Sequence, residues 1–224
     1  MFDGHLRNSV DRAVKPLGDG LRRTRMTPDH LTVAGLVIAV GAAIAIGAGY
    51  LPLGLLLVIL AALPDLLDGA LAKASNTSSQ RGAFFDSVID RVTDALLFGG
   101  VAWYFIGEHS PHIALLPLAV SSVSSVISYE RAKAESLGLS AKGGLMERAE
   151  RIILLCLGLL FPVLLLPIMW VMLVLVSITA AQRFVKVWRQ AAVAPVTAAK
   201  IEQRRSRRQS RRSVRRARMA SRRR

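Results

Sequence analysis

Cysteine is almost missing from this chain of 224 residues: Cys156 is alone, which excludes an internal disulfide framework, and its apolar neighbours make it a packing residue. The first 25 residues lack the apolar stretch and small-residue cleavage site of a secretory signal, so the first hydrophobic span is expected to be retained. Lysine and arginine are missing from segments 49–53, 107–113 and 161–168. Aromatic residues are missing from the basic C-terminal tail, which removes the stacking platform that single-stranded nucleic acid uses.

What remains is strongly apolar. Hydrophobic residues make up 52% and the mean hydropathy is +0.41, values that point to a bilayer as the relevant solvent. The net charge of +15 belongs mostly to one segment. Residues 200–224 hold Lys200 and twelve arginines against Glu202, a net +12 that leaves +3 for the rest. So dense a block of like charge repels itself and is expected to stay disordered; anionic lipid headgroups are its expected partner, with nucleic acid as the alternative.

Ahead of the first span, Phe2, Leu6, Val10 and Val14 recur every four residues among Arg7, Arg12 and Lys15. This is an amphipathic helix, lying either in the membrane interface or on the protein's own polar face. Thr27-Pro28-Asp29 reads as a helix start, with a capping hydroxyl, proline at the first helical position and an acid in the positive first turn. From there an apolar span runs over about 30–48, and five more follow at roughly 51–72, 83–106, 112–133, 150–166 and 168–188, each near the ~20 residues that cross the hydrocarbon. The three segments without lysine or arginine alternate with the basic segments 1–26, 73–81, 131–151 and 183–224, which places both termini in the cytoplasm. The predicted protein is all-α, with six transmembrane helices and an N-terminal amphipathic interfacial helix. Its parts are a juxtamembrane segment 1–26, a membrane domain 27–190 and an arginine-rich tail 191–224. Ala39, Ala43 and Gly47 form a ridge of small residues suited to close helix contact within the bundle.

Carboxylates inside a membrane cost about 2.5–3.5 kcal/mol each on insertion scales, so they require partners and usually a function. Asp65 and Asp68 are three apart near the end of the second span, and Asp86 and Asp90 are four apart at the start of the third, so each pair shares a helix face. Four converging carboxylates repel one another unless cations lie between them, and oxygen-only donors suit Mg²⁺, Mn²⁺ or Ca²⁺. One or two such ions fit a phosphoryl-group displacement, in which a carboxylate also accepts the proton of an attacking alcohol. Gly69 and Gly82 stand where a side chain would obstruct a ligand nearing the backbone. Asp94 continues the i+4 ladder and reads as a supporting or helix-pairing residue.

The run Asp65-x2-Asp68-Gly69-x2-Ala72-Lys73-x8-Gly82-x3-Asp86-x3-Asp90 resembles the signature of the CDP-alcohol phosphotransferase family, with Lys73 where the family pattern has arginine. The resemblance implies that Asp65, Asp68, Asp86 and Asp90 bind divalent metal, expected as two Mg²⁺ or Mn²⁺ ions, and that Asp90 is also the general base. It further implies that Gly69, Lys73 and Ser79 meet the CDP group, that Asp29, His30, Leu31 and Thr32 contact the CDP-lipid, and that the protein is a homodimer in the cell membrane. Arg81 adds phosphate-binding charge nearby.

Arg131, Lys133, Lys142, Arg148, Arg151, Arg183 and Lys186 form a second basic cluster, suited to an acceptor that itself carries phosphate. The stretches 127–135, 143–151 and 182–183 resemble the actinobacterial phosphatidylinositol phosphate synthase branch of the family. That resemblance covers about residues 25–190 and implies that Ser128, Arg131, Arg151 and Arg183 bind the phosphate of inositol 1-phosphate, with CDP-diacylglycerol as donor. Glycerol 3-phosphate is the alternative acceptor. Outside the enzyme class, the rival readings are a cation transporter and a membrane-anchored nucleic-acid-binding protein. Transporter carboxylates usually lie near the midplane in broken helices, whereas these flank a loop.

Overall fold

A computed structural model describes residues 28–75 and 80–192, with 64–75 described as helical backbone alone. Among the described residues the secondary structure is helical throughout: α1 (Pro28–Gly47), α2 (Leu51–Ser75), α3 (Gln80–Glu108), a 3-10 turn (Pro111–Ala114) leading into α4 (Leu115–Ser136), α5 (Arg148–Leu160) and α6 (Pro162–Ala191). The expected amphipathic segment 1–26, the Thr27 cap and the tail beyond residue 192 lie outside the described residues.

Helix α1 opens as its sequence dictates, with Pro28 at its first position and Asp29 in its first turn. Its end is set by Gly49 at φ 84°, which lets Tyr50 N–H bond to Ala45 O and Gly49 N–H to Ile46 O, each at 2.9 Å, and so returns the chain into α2. Residues 29–47, 111–136 and 162–191 form helices long and apolar enough to cross a membrane, and Leu51–Leu63 is a shorter apolar stretch.

The break between the last two helices falls earlier than expected, at Phe161 rather than between the predicted spans 150–166 and 168–188. Helix α5 stops at Leu160, Phe161 takes φ −122° and ψ 89°, and α6 starts at once with Pro162 at its first turn and Pro167 inside it. Proline at the first helical position gives up an N–H that has no helical partner anyway, so Pro162 begins a new helix inside the expected fifth span. The predicted spans 150–166 and 168–188 are thereby corrected to helices of 13 and 30 residues.

Helix α1 packs on α2 and α3, α3 on α4, α4 on α6, α6 on α5 and α5 on α2. The ridge of small residues works inside the bundle. Ala39 and Ala43 are buried, and a Cβ on Gly100 of α3 would lie 2.5 Å from the Ala43 carbonyl oxygen. One turn farther along, a Cβ on Gly47 would collide with the Trp103 ring. Phe98, Val101 and Phe105 of α3, Leu155 and Leu159 of α5, and Met169, Met172 and Val176 of α6 fill the core. Val37, Ile44, Leu56, Trp103, Val163, Trp170 and Val174 point outward and are exposed. Outward apolar side chains on long apolar helices are what a lipid-facing surface requires.

The contacts of Gly54 with Ile46, and of Gly47 with Trp103, bring the end of α1 to the start of α2 and the end of α3. The opposite end of the bundle therefore gathers the start of α3, the end of α4, and the starts and ends of α5 and α6 respectively, where the charged residues lie.

Candidate functional site

A cavity of about 740 Å³ opens at that charged end. Its walls come from α3 through Asp90, Arg91 and Asp94, from α4 through Ser124 to Arg131, from Lys142, Gly143 and Gly144, from the first turn of α5, and from Arg183 of α6.

Two aspartates and two arginines form its charged wall. Asp90 and Asp94 are one helical turn apart on α3, so both side chains leave the same face. Opposite them, Arg148 and Arg151 are three apart at the start of α5. Arg148 Nη1 lies 2.7 Å from Asp90 Oδ1, and its Nε lies 3.5 Å from Asp94 Oδ1. Arg151 Nη2 lies 2.5 Å from Asp94 Oδ2. Arg91 Nη1 stands 3.8 Å from Asp90 Oδ2 and also donates to the Ser87 carbonyl oxygen. Arg151 and Asp94 are 4% and 6% exposed, so their charges are out of water and hold one another there.

Arginine in the first turn of a helix opposes the positive end of the macrodipole. Helix α5 tolerates two because its N-terminus is otherwise well satisfied. Glu147 caps it, accepting from the backbone of the third residue, while Glu150 Oε2 accepts from the Glu147 N–H at 3.1 Å.

A strap joins α4 to α5 and is tied to α6. Arg183 donates from Nε to Gly143 O at 2.9 Å, from Nη1 to Ile127 O at 3.3 Å, and from Nη2 to Glu147 Oε1 at 3.0 Å. Lys186 Nζ donates to Lys142 O at 2.5 Å, and the Met146 N–H donates to Thr179 Oγ1 at 3.0 Å. Gly144 sits at φ 151°, and a Cβ there would lie 2.5 Å from Thr179 Cγ2. Glycine alone lets the strap press this closely on α6.

The four residues expected to bind acceptor phosphate all line this cavity, but on unequal terms. Each of Arg183's three nitrogens already donates within the protein. Arg131 is half exposed and pairs with Glu135 at 3.1 Å. Ser128 Oγ donates to Ser124 O at 3.2 Å, the usual serine bond to the preceding turn. Arg151 differs, since its Nε is buried and has no hydrogen-bond partner among the described residues. An unpartnered buried guanidinium nitrogen is costly, and an anion that reached it would relieve that cost.

Of the four expected metal ligands, Asp90 reaches the cavity and Asp86 lies half-buried one turn earlier on α3. The side chains of Asp65 and Asp68 lie outside the described residues, and among the described residues no three His, Cys, Asp or Glu side chains gather as a metal site. The donors that are described fit a hard cation: they are carboxylate oxygens on successive turns, and Asp90 already draws a guanidinium to 2.7 Å. Residues 29–32 open α1, where Leu31 and Thr32 are buried and His30 is exposed; none of the four lines this cavity. Arg81 is exposed at the start of α3. Gly69 and Lys73 lie on the described backbone of α2, and Ser79 lies outside the described residues.

The sequence reading missed the pairing of Arg148 with Asp90 and the strap that Arg183 holds. The first left a trace, two arginines in a helix's first turn where the dipole opposes them. The second left Gly143-Gly144, which was read only as part of a resemblance.

The family model for CDP-alcohol phosphatidyltransferase matches residues 25–187. The phosphatidylinositol phosphate synthase of Mycobacteroides abscessus is 37% identical over 187 residues, covering 79% of this chain and 84% of that protein. The synthase of Cutibacterium acnes is 41% identical over 154 residues, covering 66% and 73%. Among solved structures, phosphatidylinositol phosphate synthase of Mycobacterium tuberculosis with CDP-DAG bound is similar with a TM-score of 0.73 and 34% identity, over 79% of this chain and 94% of that one. The same enzyme in complex with manganese and citrate gives a TM-score of 0.73 at 33% identity, over 78% and 88%. A match over most of the chain, with a helical bundle of the same shape and charged carboxylates at one end, shows that this chain belongs to the CDP-alcohol phosphatidyltransferase family.

Proposed function

We propose that this protein transfers the phosphatidyl group of CDP-diacylglycerol to inositol 1-phosphate, giving phosphatidylinositol phosphate and CMP. The observation that carries the acceptor's phosphate is Arg151: buried, held by Asp94, in the cavity wall, with Nε unpartnered. The names of the relatives support inositol as the alcohol.

Asp65, Asp68, Asp86 and Asp90 hold the metal, two Mg²⁺ or Mn²⁺ ions. When bound, such ions draw charge from the oxygens of the phosphate being transferred. Asp90 takes the proton of the inositol hydroxyl as its oxygen attacks the lipid-proximal phosphorus. The new P–O bond forms there, and the bond to CMP breaks. Arg151 receives the acceptor phosphate, with Ser128 and Arg131 on the α4 wall. Arg183 holds the strap against that wall and brings its positive charge to the same space. Gly69, Lys73 and Ser79 meet the CDP group, and residues 29–32 lie along the path of the lipid. The bundle spans the cell membrane six times with both termini and the cavity on the cytoplasmic side, where soluble acceptor and nucleotide meet a lipid whose acyl chains stay in the bilayer. Helix α5, about 20 Å long, crosses only with help from the turn that follows it. The protein works as a homodimer, and the arginine-rich tail lies on anionic lipid headgroups.

Purified full-length protein, supplied with CDP-diacylglycerol and Mg²⁺, is expected to release CMP with inositol 1-phosphate. Release with glycerol 3-phosphate instead would reassign the acceptor, and release with no alcohol phosphate would refute the reaction.

A further inference from the structure

The geometry points to Arg148 as a positioning residue that holds the metal's place at Asp90 and passes to the acceptor cavity when a divalent ion displaces it, coupling metal loading to phosphate binding. This rests on the reading of Asp90 as a metal ligand given above.

Arg148 is the side chain that joins the two halves of the site. Its Nη1 is 2.7 Å from Asp90 Oδ1, and its Nε is 3.5 Å from Asp94 Oδ1. A guanidinium that close to Asp90 and a divalent cation on the same oxygen would set like charges side by side, so the two occupancies exclude one another. Arg148 is also less enclosed than its neighbour. Its side chain is 27% exposed, against 5% for Arg151, and it lines the cavity beside Arg151. Displaced from Asp90, it stays in that cavity and adds a second guanidinium for an anion. Removing it from the carboxylate thus helps metal, and having it in the cavity helps phosphate. Each ligand then favours the state that the other binds, which is positive and reciprocal coupling.

Calorimetric titration of Mn²⁺ into full-length protein in detergent, with and without inorganic phosphate, tests this. In the unaltered protein Mn²⁺ and phosphate should each tighten the other. Arg148→Gln should bind Mn²⁺ about tenfold more tightly, within the usual range of coupling factors, and should lose the mutual effect. Mn²⁺ binding that is unchanged or weaker in folded Arg148→Gln would overturn the inference. Should that variant fail to fold, Arg148→Lys carries the test. Its compact ammonium cannot span both carboxylates, so Mn²⁺ should still bind more tightly, and equal or weaker binding would be contrary. Failure of the underlying reading looks different: the unaltered protein would bind no Mn²⁺, or Asp90→Asn would leave its affinity unchanged, and both ideas would fall together.

Discussion

Helix α3 is two helices in one. Its second half is apolar and packed by shape, with Gly100 against the Ala43 backbone and Phe98 and Phe105 buried in the core. Its first half carries Asp86, Asp90 and Asp94, and the two that face α5 are held by guanidinium groups. Shape gives the second half one arrangement. Charge gives the first half ion pairs with Arg148 and Arg151 in place of close packing. Stability and chemistry are thus placed on successive turns of one element.

The sharpest break in that division comes from Asp90→Asn, which keeps the shape and removes the proposed base. CMP release should fall by about 10²–10⁴-fold while the helical circular dichroism stays as it was. A variant with near-normal turnover would move the base elsewhere. Next in size is Asp94→Leu, which leaves buried Arg151 without its counter-charge. Thermal denaturation in detergent should show a loss of about 3–5 kcal/mol, and adding Arg151→Met should restore much of it without restoring turnover. If the double variant recovered activity, the pair would be structural alone. In the apolar half, Gly100→Ala should cost about 1–3 kcal/mol, because its Cβ would lie 2.5 Å from Ala43 O. Folded molecules of that variant should keep the original KM for both substrates; a raised KM would mean the halves are not separate.

Much of the apolar half was legible in the sequence. Pro28 and Asp29 marked the start of α1, and the spacing of Ala39, Ala43 and Gly47 marked the face that α3 presses. The charged half was legible by residue type but not by partner. Spacing put Asp90 and Asp94 on one face, and the family resemblance implied Arg151 as a phosphate binder, yet nothing local says that Arg148 crosses to Asp90, since that contact joins residues 58 positions apart. Arg183 shows the same limit. Its charge was plain, while its three bonds to Gly143, Ile127 and Glu147 depend on how α4, α5 and the strap meet. The α5–α6 break was misplaced because Pro162 and Pro167 both resemble loop residues, and only one of them starts a helix.

The proposed binding of the acceptor's phosphate by Arg151 is tested most directly by a conservative substitution. Arg151→Lys keeps the charge and the reach to Asp94 but removes the free Nε–H. Steady-state CMP release by the folded variant should show KM for inositol 1-phosphate raised about tenfold or more, as the loss of one charge-assisted hydrogen bond implies, with KM for CDP-diacylglycerol little changed. An unchanged KM for inositol 1-phosphate, or a rise confined to CDP-diacylglycerol, would contradict it.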